Sequence, residues 1–172
     1  LSAVYGVAIY NSLIRLKNMV DEAWSGIDVQ LKKRYNLIPN LVNTVKGYAK
    51  HEKEVFEGVV EKRSEGIHAQ GVKDQQQAET GLTAALTKLF ALAENYPDLK
   101  ANQNFLDLQQ QLKVVEEDIE RARRYYNGTV RNYNIKIESF PSNVVAGMFN
   151  HRQREYFEIP ETTQRVVPEV NF

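Results

Sequence analysis

Cysteine is absent from this 172-residue chain, which excludes a disulfide framework, thiolate zinc sites and a cysteine nucleophile. Proline and glycine are scarce, at five and nine residues, and no proline falls between Pro39 and Pro97. So long a stretch without the strongest helix breaker favours long helices over sheets. Neither sign of charge is in excess, with 22 Lys and Arg against 22 Asp and Glu. That balance argues against nucleic acid as a partner, because phosphate binding needs clustered, uncompensated cations. What is present is 42% hydrophobic residues, too many for a disordered chain and enough to bury a real core in one domain.

Charge is also missing from the first 14 residues, LSAVYGVAIYNSLI, and begins at Arg15. A spanning helix needs roughly 20 apolar residues, so this stretch is too short to cross a bilayer alone. It reads as the C-terminal remnant of an N-terminal membrane anchor, with Tyr5 and Tyr10 suited to the interface. The alternative is an ordinary buried helix start. Arg15, Lys17, Lys32, Lys33 and Arg34 follow closely and place this side towards the cytoplasm. Residues 15–148 are then the helical bundle, and residues 149–172, with Pro160 and Pro168 and little periodicity, an extended and loosely held C-terminal tail.

Four segments of the bundle repeat apolar residues at spacings of three and four. They run from Leu13 to Tyr35, from Pro39 to Val59, from Leu82 to Tyr96 and from Phe105 to Ile137. A repeat sustained this long predicts coiled-coil-like, near-parallel packing. The breaks have their own signals. Ser64-Glu65-Gly66 closes the second segment, Gly71 lies in the following loop, and Asp74 with Gln77 offers a capping box. Tyr96-Pro97-Asp98 stops the third, Asn102 caps the fourth, and Phe140-Pro141 ends it. Ser142 then caps a short helix over 143–148.

Pro39 is the difficult point. The spacing Leu31, Tyr35, Ile38, Val42 runs through it, which suits one long helix kinked there and hence a bundle of three long helices. A turn at Asn36–Ile38 with Pro39 opening a new helix gives four, up-down-up-down. Matching helix lengths favours the four-helix layout, because a single helix of about 75 Å would leave apolar stripes bare at both ends. The turns 36–38 and 97–102 would then meet at a distal tip, with Leu37, Ile38 and Leu99 as an apolar cap and Arg34, Asn40, Asp98 and Lys100 around it. Such a patch is a candidate interaction site; equally, Leu37 and Leu99 plug the end of the core.

The motifs of known chemistry are missing. Glu65-Gly-Ile-His68 matches one half of a bundle metal site, with no second half, and His51-Glu52 is followed by Val55 where a zinc-peptidase helix needs His. No catalytic residue, metal site or cofactor is assigned. Glu117 and Arg121, and Glu120 and Arg124, pair favourably along a solvated helix face. One pattern is unusual: Tyr-Asn recurs at Tyr10-Asn11, Tyr35-Asn36, Tyr126-Asn127 and Tyr133-Asn134. Asn is costly in a core unless its amide is bonded, so these residues predict buried polar layers that fix register, or else a polar surface for a ligand or partner.

These stretches resemble the LemA family. The longest match is VDEAWSGIDVQLKKRYNLIPNLV over 20–42, followed in order by YPDLKAN over 96–102, ARRYYN over 122–127, Tyr133-Asn134 and FPSNVVAGM over 140–148. The stretch from Phe149 to Arg154 departs from a more glycine-rich, aromatic one. The resemblance implies a bacterial helical-bundle protein held in the membrane by one N-terminal helix, with no established enzymatic activity. The expected function is a membrane-anchored scaffold or interaction domain with an unidentified protein partner. A ligand-sensing helical domain is the alternative.

Overall fold

The computed structural model describes residues 1–158. Among them it has helices and no strand: α1 (Ser2–Lys46), α2 (Lys53–His68), α3 (Gly71–Ala93), α4 (Pro97–Lys100), α5 (Gln103–Glu138) and α6 (Ser142–Met148). The all-α bundle expected from the apolar periodicity is the fold found.

The break expected at Asn36–Ile38 is not there. α1 is a single helix of 45 residues with Pro39 inside it. Proline has no N–H to give to the carbonyl four residues back, here that of Tyr35, and an interior proline costs a helix about 3 kcal/mol. The loss is repaired from outside, because Arg63 of α2 donates its Nε–H to the Tyr35 carbonyl at 2.8 Å. Packing supplies the rest. Leu31, Tyr35, Ile38, Leu41, Val42 and Val45 are all buried, so a turn at 36–38 would pull a continuous stripe out of the core. Asn36, Pro39 and Asn40 face solvent.

The first turn comes instead at 47–52. The apolar spacing does break there, since Ala49 is followed by Val55 six positions later. The Ala49 N–H still donates to the Val45 carbonyl at 2.9 Å, and Ala49 is buried. Two residues join α2 to α3, so α2 extends to His68 and α3 opens at Gly71, where φ is +82°. Glycine meets that left-handed conformation without strain. Gly66 therefore lies inside α2 rather than ending it, and Asp74 lies in the first turn of α3 rather than before it. Asn102 does cap α5: its Oδ1 accepts from the Phe105 N–H at 3.0 Å. Ser142 is the first residue of α6, and its hydroxyl donates back to the Lys136 and Ser139 carbonyls.

The described chain forms two compact units, and α1 and α5 each contribute to both. One unit joins residues 1–29 to residues 120–157. Its core contains Leu13, Val20, Ile27, Tyr126, Val130, Tyr133 and Phe157. The other holds residues 30–119 and Glu158. There α1 packs with α2, α3 and the start of α5 around Leu31, Ile38, Leu41, Val59, Leu82, Leu86, Leu89, Phe90, Phe105 and Leu112. Phe90 and Phe105 meet with ring centroids 6.1 Å apart.

The expected extended tail begins only after a turn at 149–150; residues 151–158 are extended, but over 151–157 they are not loosely held. Phe157 is fully buried against Trp24, with ring centroids 5.5 Å apart. The remainder of the expected tail, 159–172, lies outside the described residues.

Candidate functional site

Two polar constellations stand out, one in each unit. The first is built on Arg34, which is 2% exposed. A guanidinium in that position must have its charge and donors answered, because burying an unpaired charge is prohibitive. Its Nη1 donates to Glu79 Oε2 at 3.0 Å and its Nη2 to Thr83 Oγ1 at 2.7 Å. Its Nε lies 2.8 Å from Glu116 Oε1, an ion pair off the N–H axis. Tyr35 donates a very short hydrogen bond to Glu79 Oε1 and accepts one from Gln75 Nε2 at 2.8 Å. The same amide reaches the Gly66 carbonyl at 3.1 Å. Gly66 is required there, since a Cβ would come within 2.6 Å of the Tyr35 hydroxyl oxygen.

Burial, with the neighbouring Glu79 charge, pushes the Tyr35 hydroxyl far up, so it remains a donor. Desolvation also raises the Glu116 carboxyl; Arg34 opposes the shift and Glu79 adds to it. One cation held between two carboxylates links α1, α3 and α5, while the tyrosine next to it joins α1 to α3.

The second constellation uses the repeated Tyr-Asn pairs of α5. Asn127 Nδ2 donates to the Phe157 carbonyl at 3.0 Å, and the Phe157 N–H returns a bond to Asn127 Oδ1 at 2.9 Å. Two turns further on, Asn134 does the same with Arg154, at 3.1 and 2.9 Å. Each amide thus presents the donor and acceptor that a neighbouring strand would present. The spacing matches: seven residues of helix advance about 10.5 Å, and three of extended chain about 9–10 Å. Tyr126 donates to the Glu155 carbonyl at 2.8 Å, and Tyr133 Oη lies 2.8 Å from His151 Nδ1. Arg154 Nη2 pairs with Asp21 at 2.7 Å, and Trp24 lies against Tyr126. Burial, helped by Lys17, lowers the His151 pKa, and burial raises those of Tyr126 and Tyr133.

The residues expected at a distal tip are distributed otherwise. Arg34 and Ile38 are buried within α1, Leu37 is half-buried and Asn40 exposed in the same helix. Leu99 is fully buried in α4, between exposed Asp98 and Lys100, and Lys100 pairs with Glu94 at 2.7 Å. With no turn at 36–38, the turn that meets 97–102 is 47–52, where Asn102 Nδ2 donates to the Tyr48 hydroxyl at 2.9 Å. Of the polar-layer residues, Tyr35 joins the ion cluster, while Tyr126, Asn127, Tyr133 and Asn134 come together on the tail. Asn36 is exposed and joins neither.

Sequence reasoning missed Glu79, Thr83, Gln75 and Glu116, and on the tail Arg154 and Phe157. A signal existed for three of them: Gln75, Glu79 and Thr83 follow one another at four-residue spacing into the stripe Leu86, Phe90, Ala93. That spacing marks polar groups on the buried face. Glu65 and His68 are engaged locally: Glu65 pairs with Lys62 at 3.2 Å, and His68 Nδ1 bonds the Ser64 carbonyl at 2.8 Å. Among the described residues, no group of three or more His, Asp or Glu is placed to hold a metal.

A sequence model of the LemA family matches residues 23–172. Magnetosome protein MamQ 2 of Paramagnetospirillum magneticum is 26% identical over 175 residues, covering 87% of this chain and 64% of that protein. Magnetosome protein MamQ of Magnetospirillum gryphiswaldense is 24% identical over 174 residues, covering 86% and 64%. Protein LemA of Metamycoplasma hominis is 27% identical over 140 residues, covering 79% and 63%. The chain thus spans less than two thirds of the length of each of these relatives.

Proposed function

This chain belongs to the LemA family, and from that premise we propose that it is a membrane-anchored helical scaffold or protein-interaction domain rather than an enzyme. The observation that carries the membrane part is the first quarter of α1. Residues 2–14 of the helix have no charged side chain, and Val4, Tyr5 and Val7 expose their side chains. Exposed apolar surface on a helix continuous with a folded core is suited to lipid or to another apolar surface. Among the described residues no helix is long and apolar enough to cross a membrane. In this reading, these exposed apolar turns are the part of the chain that meets the membrane.

The cytoplasmic side is part of the same proposal. Of the five cations behind it, Arg34 is committed to the ion cluster, so Arg15 and Lys17, next to the apolar turns, carry the assignment.

Flotation with vesicles of phosphatidylethanolamine and phosphatidylglycerol tests the anchor. The chain is expected to float with the lipid, and Val4→Asp with Val7→Asp to stay at the bottom of the gradient with unchanged helix content. Equal flotation of the double variant would overturn the assignment.

A further inference from the structure

We propose that the corner between α5 and α6 is a second membrane contact, at which Phe140, Val144 and Met148 insert into the bilayer interface beside the first turns of α1. The inference rests on the membrane reading above and adds a surface that reading does not use.

Two stretches far apart in sequence have no charged side chain, residues 2–14 and residues 139–150. The fold brings them together. Trp24 of α1 lies against Tyr126 of α5. Further along α5, Tyr133 meets His151, which feels the charge of Lys17, seven residues before Trp24. The two helices therefore run antiparallel here. At about 1.5 Å per residue in each, the end of α5 at Glu138 comes level with about residue 12 of α1. Tyr10 and Phe149 agree with that register, their ring centroids 4.6 Å apart. Ile9 is the first buried residue of α1. The corner thus stands where the apolar turns leave the core, and residues 1–8 continue about 12 Å past it.

The outward face of the corner is apolar. α6 buries Ser142 and Ala146 and turns Val144 and Met148, also four residues apart, to the outside. A helix whose outer face meets water ordinarily has polar groups there. Phe140, in the preceding turn, is 82% exposed and Met148 70%. Side chains as exposed as these project rather than line a groove. A protein partner would need a shape matched to them, whereas fluid hydrocarbon closes round them without one. The flanking charges favour the same occupant. Arg15, Lys17, Lys136 and Arg152 border the two uncharged stretches, against Glu138. Cations so placed are attracted to the phosphates of an anionic bilayer.

The chain has no cysteine, so a single one can be introduced and labelled. Met148→Cys and Val144→Cys, each in the full chain and carrying the environment-sensitive fluorophore nitrobenzoxadiazole, are mixed with the phosphatidylethanolamine and phosphatidylglycerol vesicles and read in the floated fraction. Emission is expected to rise about two-fold, and lipids spin-labelled high in the acyl chain to quench it, as a depth of about 5–10 Å requires. Tyr125→Cys, an exposed position about 20 Å back along α5, is expected to show neither. All three replaced side chains are exposed, so helix content and melting temperature should match wild type. Floated chain with unchanged, unquenched emission at 144 and 148 overturns the inference and leaves the contact made by α1 standing. An equal response at 125 overturns it as well, because the whole chain would then be adsorbing. So does a rise that needs no vesicles and grows with protein concentration, which would make the corner a contact between protein copies. A chain that does not float overturns the membrane reading, and this inference with it.

Discussion

Asn127 and Asn134 each exchange two hydrogen bonds with one residue of the extended segment, and no other side chain type could do so from those positions without a change of length. A hydroxyl is too short, and a carboxylate has no donor. Asn127→Ala and Asn134→Ala are each expected to cost about 1–3 kcal/mol, since each leaves backbone groups of the segment unpaired near the core. For a chain of this size that lowers the melting temperature by about 2–4 °C per kcal/mol. Thermal melts check it; Asn127→Asp should resemble the alanine variant rather than wild type, because the donated bond is lost and the acceptors then face one another. The residues themselves were legible as a recurring Tyr-Asn pair on a helix face. Their partner was not, because residues 151–157 have no periodicity to show that they are bound.

At the scale of elements, α1 owes its continuity through Pro39 to α2. The Arg63 guanidinium serves a carbonyl that the helix cannot serve itself, so the two residues form a coupled pair although they are 24 positions apart in sequence (63 less 39). Arg63→Met in the native background is expected to destabilise by about 1–2 kcal/mol, the range for a half-exposed, charge-assisted bond to a carbonyl. In a Pro39→Ala background the same substitution should cost under about 0.5 kcal/mol, because an alanine N–H at that position restores the i to i−4 bond. Chemical denaturation of the four variants gives the coupling energy directly. Equal costs in both backgrounds would show that Arg63 stabilises by other contacts.

At the scale of the molecule, His151 in one unit and Glu116 in the other are shifted in opposite directions and contribute to the pH dependence of stability with opposite sign. His151 has its pKa lowered by burial and by Lys17, from an ordinary 6.5. Its contribution is present above that value and is lost as pH falls through it to the lower folded value. Glu116 has its pKa raised by desolvation from an ordinary 4.5. Its contribution is present below that value and is lost as pH rises through the higher folded value. Trp24, the sole tryptophan, lies against Tyr126 and Phe157 and so reports the unit that contains His151. Melts followed by its fluorescence should fall in temperature between about pH 7 and about pH 5.5, and His151→Gln should flatten that slope. Glu116→Gln should leave it unchanged and alter the response above pH 4.5 in the other unit, followed by circular dichroism.

From residue order alone follow the helical class, the apolar stripes, the cap at Asn102, the stop at Phe140-Pro141 and the resemblance to a family. All of these are local: each depends on residues a few positions apart, whose spacing reports helix period and whose chemistry reports a terminus. Even at Pro39 the stripe Leu31, Tyr35, Ile38, Val42 spelled out a continuous helix. What the stripe lacked was any sign that a distant donor would replace the missing N–H. Tertiary structure decided that point, the interior position of Arg34 and the bound state of residues 151–157. The deciding contacts span 28 residues from Arg63 to Tyr35, 45 from Arg34 to Glu79 and 30 from Asn127 to Phe157. A buried cation, an orphaned carbonyl and an extended segment are each unfavourable alone. They become stable only where packing brings a specific partner to them, and that pairing is a property of the folded chain.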